Sequence, residues 1–551
     1  MLNFPKLTNQ KLSLLVTAYI AFILNAPFYL GAWRALQQNG QVNYLFLASL
    51  PVFLFCIIFL LVNLLRLTGC FRYFAALLVL VSGGLFYATF NYGVVFNYDM
   101  IVNIAETDVR EGASYLNGQL LVYLALFAVL PALLVLRLGA GRGSYLRELK
   151  QLSLNAVALV AVLLVVAMSF YSNYASLGRN HRHLQKMIVP TQFVWSSGKL
   201  IKQRFFSQPH PFTELVDTAT HTDHPTEPYL VVMVLGETAR AQNFSLNGYD
   251  RPTNAFTSAY PVVSYRHMSS CGTATAYSVP CMFSFLNEAN YRPERASQQE
   301  NVLDVIQKAG FDVFWLDNDS GCKGVCKRVL NTEIETTARE GFCDGEYCYD
   351  EALISGLDQL LAQPLKRDTL VILHTIGSHG PTYYRRYPKS FAHFMPDCQR
   401  SDIQNCSQDA LVNTYDNTLL YTDAVIAEVI ERLSDRPNTS SVFYVSDHGE
   451  SLGESGLYLH GTPKLFAPDE QTQVANLLWL SDAFKAESHI DLGCLEKQAE
   501  EGQFSHDYIV HTLLDLTAVR ASVYDPSLSL LQSCVRPQLQ VSQNVPKSKN
   551  V

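Results

Sequence analysis

Ser441-Val442-Phe443-Tyr444-Val445-Ser446-Asp447-His448-Gly449-Glu450 is the stretch whose reading decides the fold. A short apolar run rich in β-branched and aromatic residues fits a buried strand, and it ends abruptly in polar and charged groups beside a glycine. The pattern recurs along the chain. Tyr229 to Leu235 ends in Gly236-Glu237, Phe311 to Leu316 in Asp317-Asn318-Asp319, and Thr369 to Leu373 in His374-Thr375-Ile376-Gly377-Ser378-His379. Helical stretches separate these runs, which predicts a mostly parallel sheet with helices on both faces. Ligands of such sheets bind beyond the carboxyl ends of the strands, where these polar groups gather. The Gln/Ser/Lys-rich tail after Pro537 is expected to be disordered.

Upstream the chain changes character. Leu12 to Trp33, Tyr44 to Leu65, Tyr73 to Phe96, Gly118 to Leu136 and Leu152 to Tyr171 are apolar runs, each near the roughly 20 residues that cross a bilayer core. The first is longer than the apolar region of a signal peptide and further spans follow it, so it reads as an anchor. Lys6, Lys11, Arg66, Arg72, Arg137, Arg142, Arg147 and Lys150 sort to one side, whereas the opposite loops carry only Arg34 and Arg110. The basic side is cytoplasmic, so everything after Tyr171 is expected outside. Residues 1–172 thus form a five-span membrane domain, 173–228 an interfacial helix and linker, and 229–551 an extracytoplasmic catalytic domain. Basic and apolar residues interleave from Asn173 to Phe206, which fits a helix lying in the membrane interface or one packed on the soluble domain. Ser207 to Glu227, rich in Pro, Thr and His, reads as a linker. A formal charge of -8 speaks against a nucleic-acid partner.

Of 12 cysteines only Cys56 and Cys70 precede Tyr229. The remaining even number suits disulfides in an oxidising compartment, and short spacings suggest Cys271 with Cys281, Cys322 with Cys326, Cys343 with Cys348 and Cys398 with Cys406, leaving Cys494 with Cys534. The competing reading is a structural zinc site from Cys322, Cys326, Cys343 and Cys348.

Glu237, Asp447, His448, His379 and His460 offer oxygen and nitrogen donors of the kind zinc accepts, converging from separate strand ends. Singly, each also suits a cap or a turn. Between Cys271 and Cys281 lies Gly272-Thr273-Ala274-Thr275-Ala276-Tyr277-Ser278-Val279-Pro280, a hydroxyl-rich loop. A threonine hydroxyl is a weak nucleophile unless a metal or base stabilises its alkoxide, and a helix starting here would offer N–H groups to a phosphate. A disulfide-bonded surface turn is the plainer alternative.

Gly236-Glu237-Thr238-Ala239-Arg240, the Ser270 to Cys281 segment, Gly377-Ser378-His379-Gly380-Pro381-Thr382-Tyr383-Tyr384, Tyr415-Asp416-Asn417-Thr418, Ser446 to Gly453 and Leu459-His460-Gly461 resemble the lipid A phosphoethanolamine transferases, including the mobile colistin resistance enzymes. The resemblance covers essentially the whole chain. It implies an alkaline phosphatase/sulfatase-like fold and one or two zinc ions. Glu237, Thr275, Asp447 and His448 would hold the catalytic zinc, with Thr275 the nucleophile. His379 and His460 would bind the phosphoryl group or a second zinc, Lys323 and Asp319 would contact substrate, and Glu450 would support the shell. Asn103, Thr107 and Glu111 fit the family pattern Asn-x-x-Glu-Thr-Asp-x-x-Glu, implicated in donor headgroup binding, and Asp319 stands where some relatives have Asn.

The resemblance further implies a monomeric protein of the bacterial inner membrane with its catalytic domain in the periplasm. Thr275 would attack phosphatidylethanolamine, releasing diacylglycerol, and the phosphoethanolamine would pass to lipid A of lipopolysaccharide, weakening the binding of polymyxin. Rival readings are a membrane-anchored hydrolase of the same fold, a transferase with another donor or acceptor, and an inactive envelope scaffold.

Overall fold

Long apolar runs set the N-terminal architecture of the computed structural model, which describes residues 7–38, 43–107, 109–138, 140–141, 145–206, 211–221, 227–336 and 341–536. Helices α1 (Asn9–Ala18) and α2 (Ala26–Gln38) are joined by a π-helical turn, Tyr19–Leu24. They are followed by α3 (Tyr44–Leu65), α4 (Phe71–Tyr92), the short α5 (Tyr98–Glu106), α6 (Gly118–Leu138) and α7 (Tyr145–Ser169). Four of these helices are long and apolar enough to cross a membrane, or up to five if the first pair, bent by 45°, is one span. The first apolar run is therefore a broken helix: the Asn25 side chain at the break donates to the Ile20 and Val189 carbonyls. Arg66 at the end of α3 donates to Glu148 near the start of α7, a buried tie on the basic side.

The segment read as one interfacial helix is three, Tyr171–Asn180, Arg182–Lys186 and α8 (Thr191–Phe206). Pro190, just before α8, interrupts it because proline disfavours helix in the residue before it. Within Ser207 to Glu227, read as a linker, the described residues 211–221 are held against the catalytic region. Glu300 accepts the N–H groups of Leu215 and Val216, Val216 is buried, and Thr220–His221 pairs with Val519–Arg520. The tail after Pro537 lies outside the described residues.

The C-terminal region is built on a seven-stranded sheet. Its strands in chain order are β1 (Leu230–Gly236), β2 (Val262–Val263), β3 (Asp312–Asp317), β4 (Leu330–Glu333), β5 (Thr369–His374), β6 (Ser440–Ser446) and β7 (Asn476–Leu480). Spatially the order is β2-β7-β6-β1-β5-β3-β4. The strands from β6 to β4 are parallel, and β7 and β2 add an antiparallel edge. Every residue of β1, β5 and β6 is buried, as a strand covered on both faces requires. One face packs Val231, Met233 and Leu235 against α10 (Val302–Lys308); the other packs Leu230, Val232 and Val234 against α11 (Glu351–Leu361) and α12 (Gln408–Ser434). Tyr87 and Tyr92 of α4 join that second cluster, so the membrane helices share a core with the sheet region.

Register aligns the strand ends. Gly236 pairs with Ser446, and His374 pairs with both Leu235 and Asp317. The polar residues that follow each strand therefore leave the sheet level with one another. Apolar helices followed by a mostly parallel sheet covered on both faces agree with the architecture expected from sequence.

Candidate active site and metal centre

Glu237 follows the last residue of β1 and is fully buried. Gly236 is required before it, since a Cβ there would lie 2.5 Å from the Tyr444 ring. The next residue, Thr238, has φ 54°, a left-handed conformation unusual for a non-glycine residue. That turn is held by Tyr415, whose hydroxyl donates to the Thr238 carbonyl at 2.6 Å and accepts from the Arg240 N–H at 3.0 Å.

Helix α9 (Thr275–Met282) starts at Thr275, and its cap residue Ala274 makes no side-chain cap bond. The first turn therefore keeps N–H groups of the sort that receive a phosphate. The Cys271–Cys281 disulfide ties the entering loop to the helix, and Ser278 Oγ donates to the Asp447 carbonyl at 2.5 Å. Thr275 Oγ1 consequently sits 3.0 Å from Glu237 Oε2, to which it donates, and 3.3 Å from His448 Nε2.

Asp447 and His448 extend β6. Asp447 Oδ1 accepts the N–H groups of His448 at 2.7 Å and Thr238 at 3.3 Å. His448 Nδ1–H donates to the Gly449 carbonyl at 2.9 Å, which leaves the Nε2 lone pair facing Thr275, Glu237 and Asp447. Nε2 is 3.4 Å from both Glu237 Oε1 and Asp447 Oδ2. Those two carboxylate oxygens are buried and have no hydrogen-bond partner among the described residues. Ligand atoms of Glu237, Asp447 and His448 lie within 4.8 Å of one another. Orphaned carboxylate oxygens and an imidazole lone pair aimed at one point fit a bound divalent cation, zinc among them.

The electrostatics agree. Burial, with Asp447 adjacent, pushes the Glu237 carboxyl well above its usual range, and burial pushes Asp447 up to about 6. Burial and the nearby His460 hold His448 well below the ordinary imidazole value, in the neutral form that ligates metals.

His379 and His460 come to the same edge, with ring centroids 5.7 Å apart, and His460 lies 4.4 Å from the His448 ring. Glu450 Oε2 accepts from His460 Nδ1 at 3.0 Å. Lys323, another residue with positive φ, is tied to its own loop: its ammonium donates to the Ser320 carbonyl and hydroxyl at 2.9 and 2.6 Å. It lines a cavity of about 740 Å³ between Tyr98, Glu106 and Arg204 of the membrane-side helices and Tyr277 of α9. Asp319 lines a pocket with His379 and Arg386, and a ligand atom of it lies within 4.8 Å of ligand atoms of Glu237 and His374. At the end of α5, which packs against α9, Thr107 donates to the Asn103 carbonyl. The Glu111 side chain lies outside the described residues.

Five disulfides join the cysteines in the pairs that the spacings suggest, so Cys322, Cys326, Cys343 and Cys348 are not thiolate zinc ligands.

Sequence reasoning passed over His506. It is buried between the two halves of the site: Nδ1 accepts the Cys271 N–H at 3.1 Å and Nε2–H donates to the Ser446 carbonyl at 3.1 Å. A lone histidine in a polar loop carries no sequence signal for that role. His374 and Asp317, by contrast, stood at strand ends already in view.

Comparison with known proteins places these features in one group. The profile described as phosphoethanolamine transferase EptA/EptB matches residues 54–205, and the sulfatase profile matches residues 230–519. The phosphoethanolamine transferase EptA of Escherichia coli K12 is 39% identical over 542 residues, covering 97% of this chain and 99% of the relative. The phosphatidylethanolamine transferase Mcr-1 of Escherichia coli is 35% identical, with 92% of this chain and 95% of the relative covered. Among solved structures, the integral membrane lipooligosaccharide phosphoethanolamine transferase A from Neisseria meningitidis superposes with a TM-score of 0.92 at 35% identity, over 97% of this chain and all 100% of its own.

Proposed function

Because this chain belongs to the phosphoethanolamine transferase family and is an enzyme of that activity, we propose that it transfers phosphoethanolamine from phosphatidylethanolamine to a lipid A phosphate through a covalent Thr275 intermediate. The observation that carries this reading is the Thr275 hydroxyl at the start of α9, donating to Glu237 Oε2 at 3.0 Å and 3.3 Å from His448 Nε2.

A zinc ion held by Glu237, Thr275, Asp447 and His448 would supply a Lewis acid that lowers the proton affinity of the hydroxyl and balances phosphoryl charge. The protein's own groups do the rest. Glu237 Oε2 takes the proton as Oγ1 forms a bond to phosphorus. The bond from phosphorus to the diacylglycerol oxygen breaks, and that oxygen takes a proton from an imidazole of His379 or His460, leaving phosphoethanolamine on Thr275. The first-turn N–H groups of α9 and the two imidazoles meet the phosphoryl oxygens. In the second step a phosphate hydroxyl of lipid A attacks the same phosphorus and gives its proton to the imidazole that gave one up, the bond from phosphorus to Oγ1 breaks, and Thr275 recovers its proton from Glu237.

The setting proposed is the bacterial inner membrane, with five spans and the catalytic region in the periplasm, where both lipids are in reach of the cavity beside Tyr277. Adding a cationic amine to lipid A lowers its attraction for cationic peptides such as polymyxin. The test is mass analysis of lipid A from cells carrying the wild-type chain or Thr275→Ala. A phosphoethanolamine increment present only with the wild type supports the reading; its absence with the wild type refutes the acceptor.

A further inference from the structure

We propose that Glu237, Asp319 and His374 form a second divalent-cation site, separate from the one at His448 and joined to it through the shared Glu237 carboxylate.

One ligand atom from each of the three lies within 4.8 Å of the others, and none of the three side chains is exposed. His374 is fully buried. Its Nδ1–H donates to Asp317 Oδ2 at 2.9 Å, which fixes the tautomer and turns the Nε2 lone pair toward Asp319 and Glu237. Nε2 has no hydrogen-bond partner among the described residues, and neither does Glu237 Oε1. Nε2 stands 3.8 Å from Asp319 Oδ2. That is too long for a charge-assisted hydrogen bond of about 2.7–2.9 Å. Two donors each about 2.1 Å from one ion are roughly 3–3.5 Å apart, so a small inward adjustment closes the site.

Asp317 completes the arrangement as the partner that orients the histidine. Its Oδ2 also accepts the Trp315 indole N–H at 2.7 Å, and its Oδ1 accepts the N–H groups of Asp319 and Gly321 at 3.0 and 3.1 Å. A carboxylate that holds a histidine Nδ1–H while the opposite nitrogen faces other carboxylates is the arrangement that sets imidazole ligands on a metal. The chemistry is one nitrogen and two or more oxygens, which suits Zn²⁺ or Mn²⁺. A carboxylate such as Glu237 bridges two ions about 3.5–4 Å apart in two-metal sites.

The alternative needs no ion. Burial pulls the His374 imidazole down, but the carboxylates of Asp317 and Asp319 outweigh it and the net shift is upward. An imidazolium would then neutralise Asp319 by itself. The two cases differ in metal content.

The purified full-length protein in detergent is stripped with a chelator, reloaded with Zn²⁺, gel-filtered and analysed for zinc per chain by mass spectrometry. The proposal predicts about two zinc ions in the wild type and about one in Asp319→Asn and in His374→Gln. His379→Gln and His460→Gln keep the wild-type value. Asp319→Asn preserves shape, so it carries the test if His374→Gln does not fold, as near-ultraviolet circular dichroism reports. Asp319→Asn with the wild-type zinc content overturns the proposal, as does a second zinc lost with His379→Gln or His460→Gln instead. The shared Glu237 ties this inference to the catalytic site, and His448→Gln separates the two: unchanged zinc content in that variant contradicts the catalytic metal and not the second site.

Discussion

The Thr275 hydroxyl and the Glu237 carboxylate meet at 3.0 Å although they come from different elements, one opening α9 and the other ending β1. Replacing Thr275 by Ala removes the attacking oxygen while leaving the helix, so transfer from a fluorescent phosphatidylethanolamine falls by on the order of 1,000-fold or more. Thr275→Ser keeps the oxygen and retains measurable activity. Equal activity of the Ala variant and the wild type rejects Thr275 as the nucleophile.

Chelation follows from the orphaned oxygens of Glu237 and Asp447. Dialysis against a chelator is expected to abolish diacylglycerol release, and Zn²⁺ restores it. With the ion gone, carboxylates held close together by a folded frame repel, so the melting temperature also drops. Diacylglycerol release that persists in metal-free protein contradicts the metal reading.

His506 gives a pH dependence with a definite sign. Burial, with Lys464 adding to it, holds its folded-state value down at about 3, against an ordinary value of 6.5. The unfolded chain therefore binds the extra proton first. Above about pH 6.5 the group adds no pH dependence; between about 6.5 and 3 it costs the folded state roughly 1.4 kcal/mol per pH unit. His506→Gln is expected to be less stable than the wild type at pH 7.5, with a smaller loss between pH 7.5 and 5.5. Thermal unfolding in detergent at both pH values measures this, and identical pH slopes would refute it.

Gly377 has φ 46°, and a Cβ there would lie 2.7 Å from the Glu237 carbonyl oxygen. Gly377→Ala combines backbone strain with overpacking and costs about 2–4 kcal/mol. Because the displaced neighbour is Glu237 itself, activity drops even in the folded fraction. A variant with wild-type stability and turnover would show that the turn can give way.

The strands were legible in the sequence because both faces of β1, β5 and β6 are covered, which leaves uninterrupted apolar runs ending at sharply polar residues. The meeting of Glu237, Asp447 and His448 was legible for the same reason. Register, not proximity in sequence, aligns their strand ends. Thr275, which opens α9, was singled out through the family resemblance. What escaped depended on tertiary context. The kink at Asn25 rests on a carbonyl at Val189, 164 residues away. The pinned segment around Val216 rests on the Glu300 carboxylate, and the bridging role of His506 exists only because Cys271 and Ser446 are brought to either side of its ring.

The most direct test is mass spectrometry of the peptide containing Thr275 after the purified protein meets phosphatidylethanolamine without an acceptor. A phosphoethanolamine adduct on Thr275, missing after chelation, is the result this account predicts. Diacylglycerol release with Thr275 unmodified at every time sampled, including rapid acid quench, would contradict it.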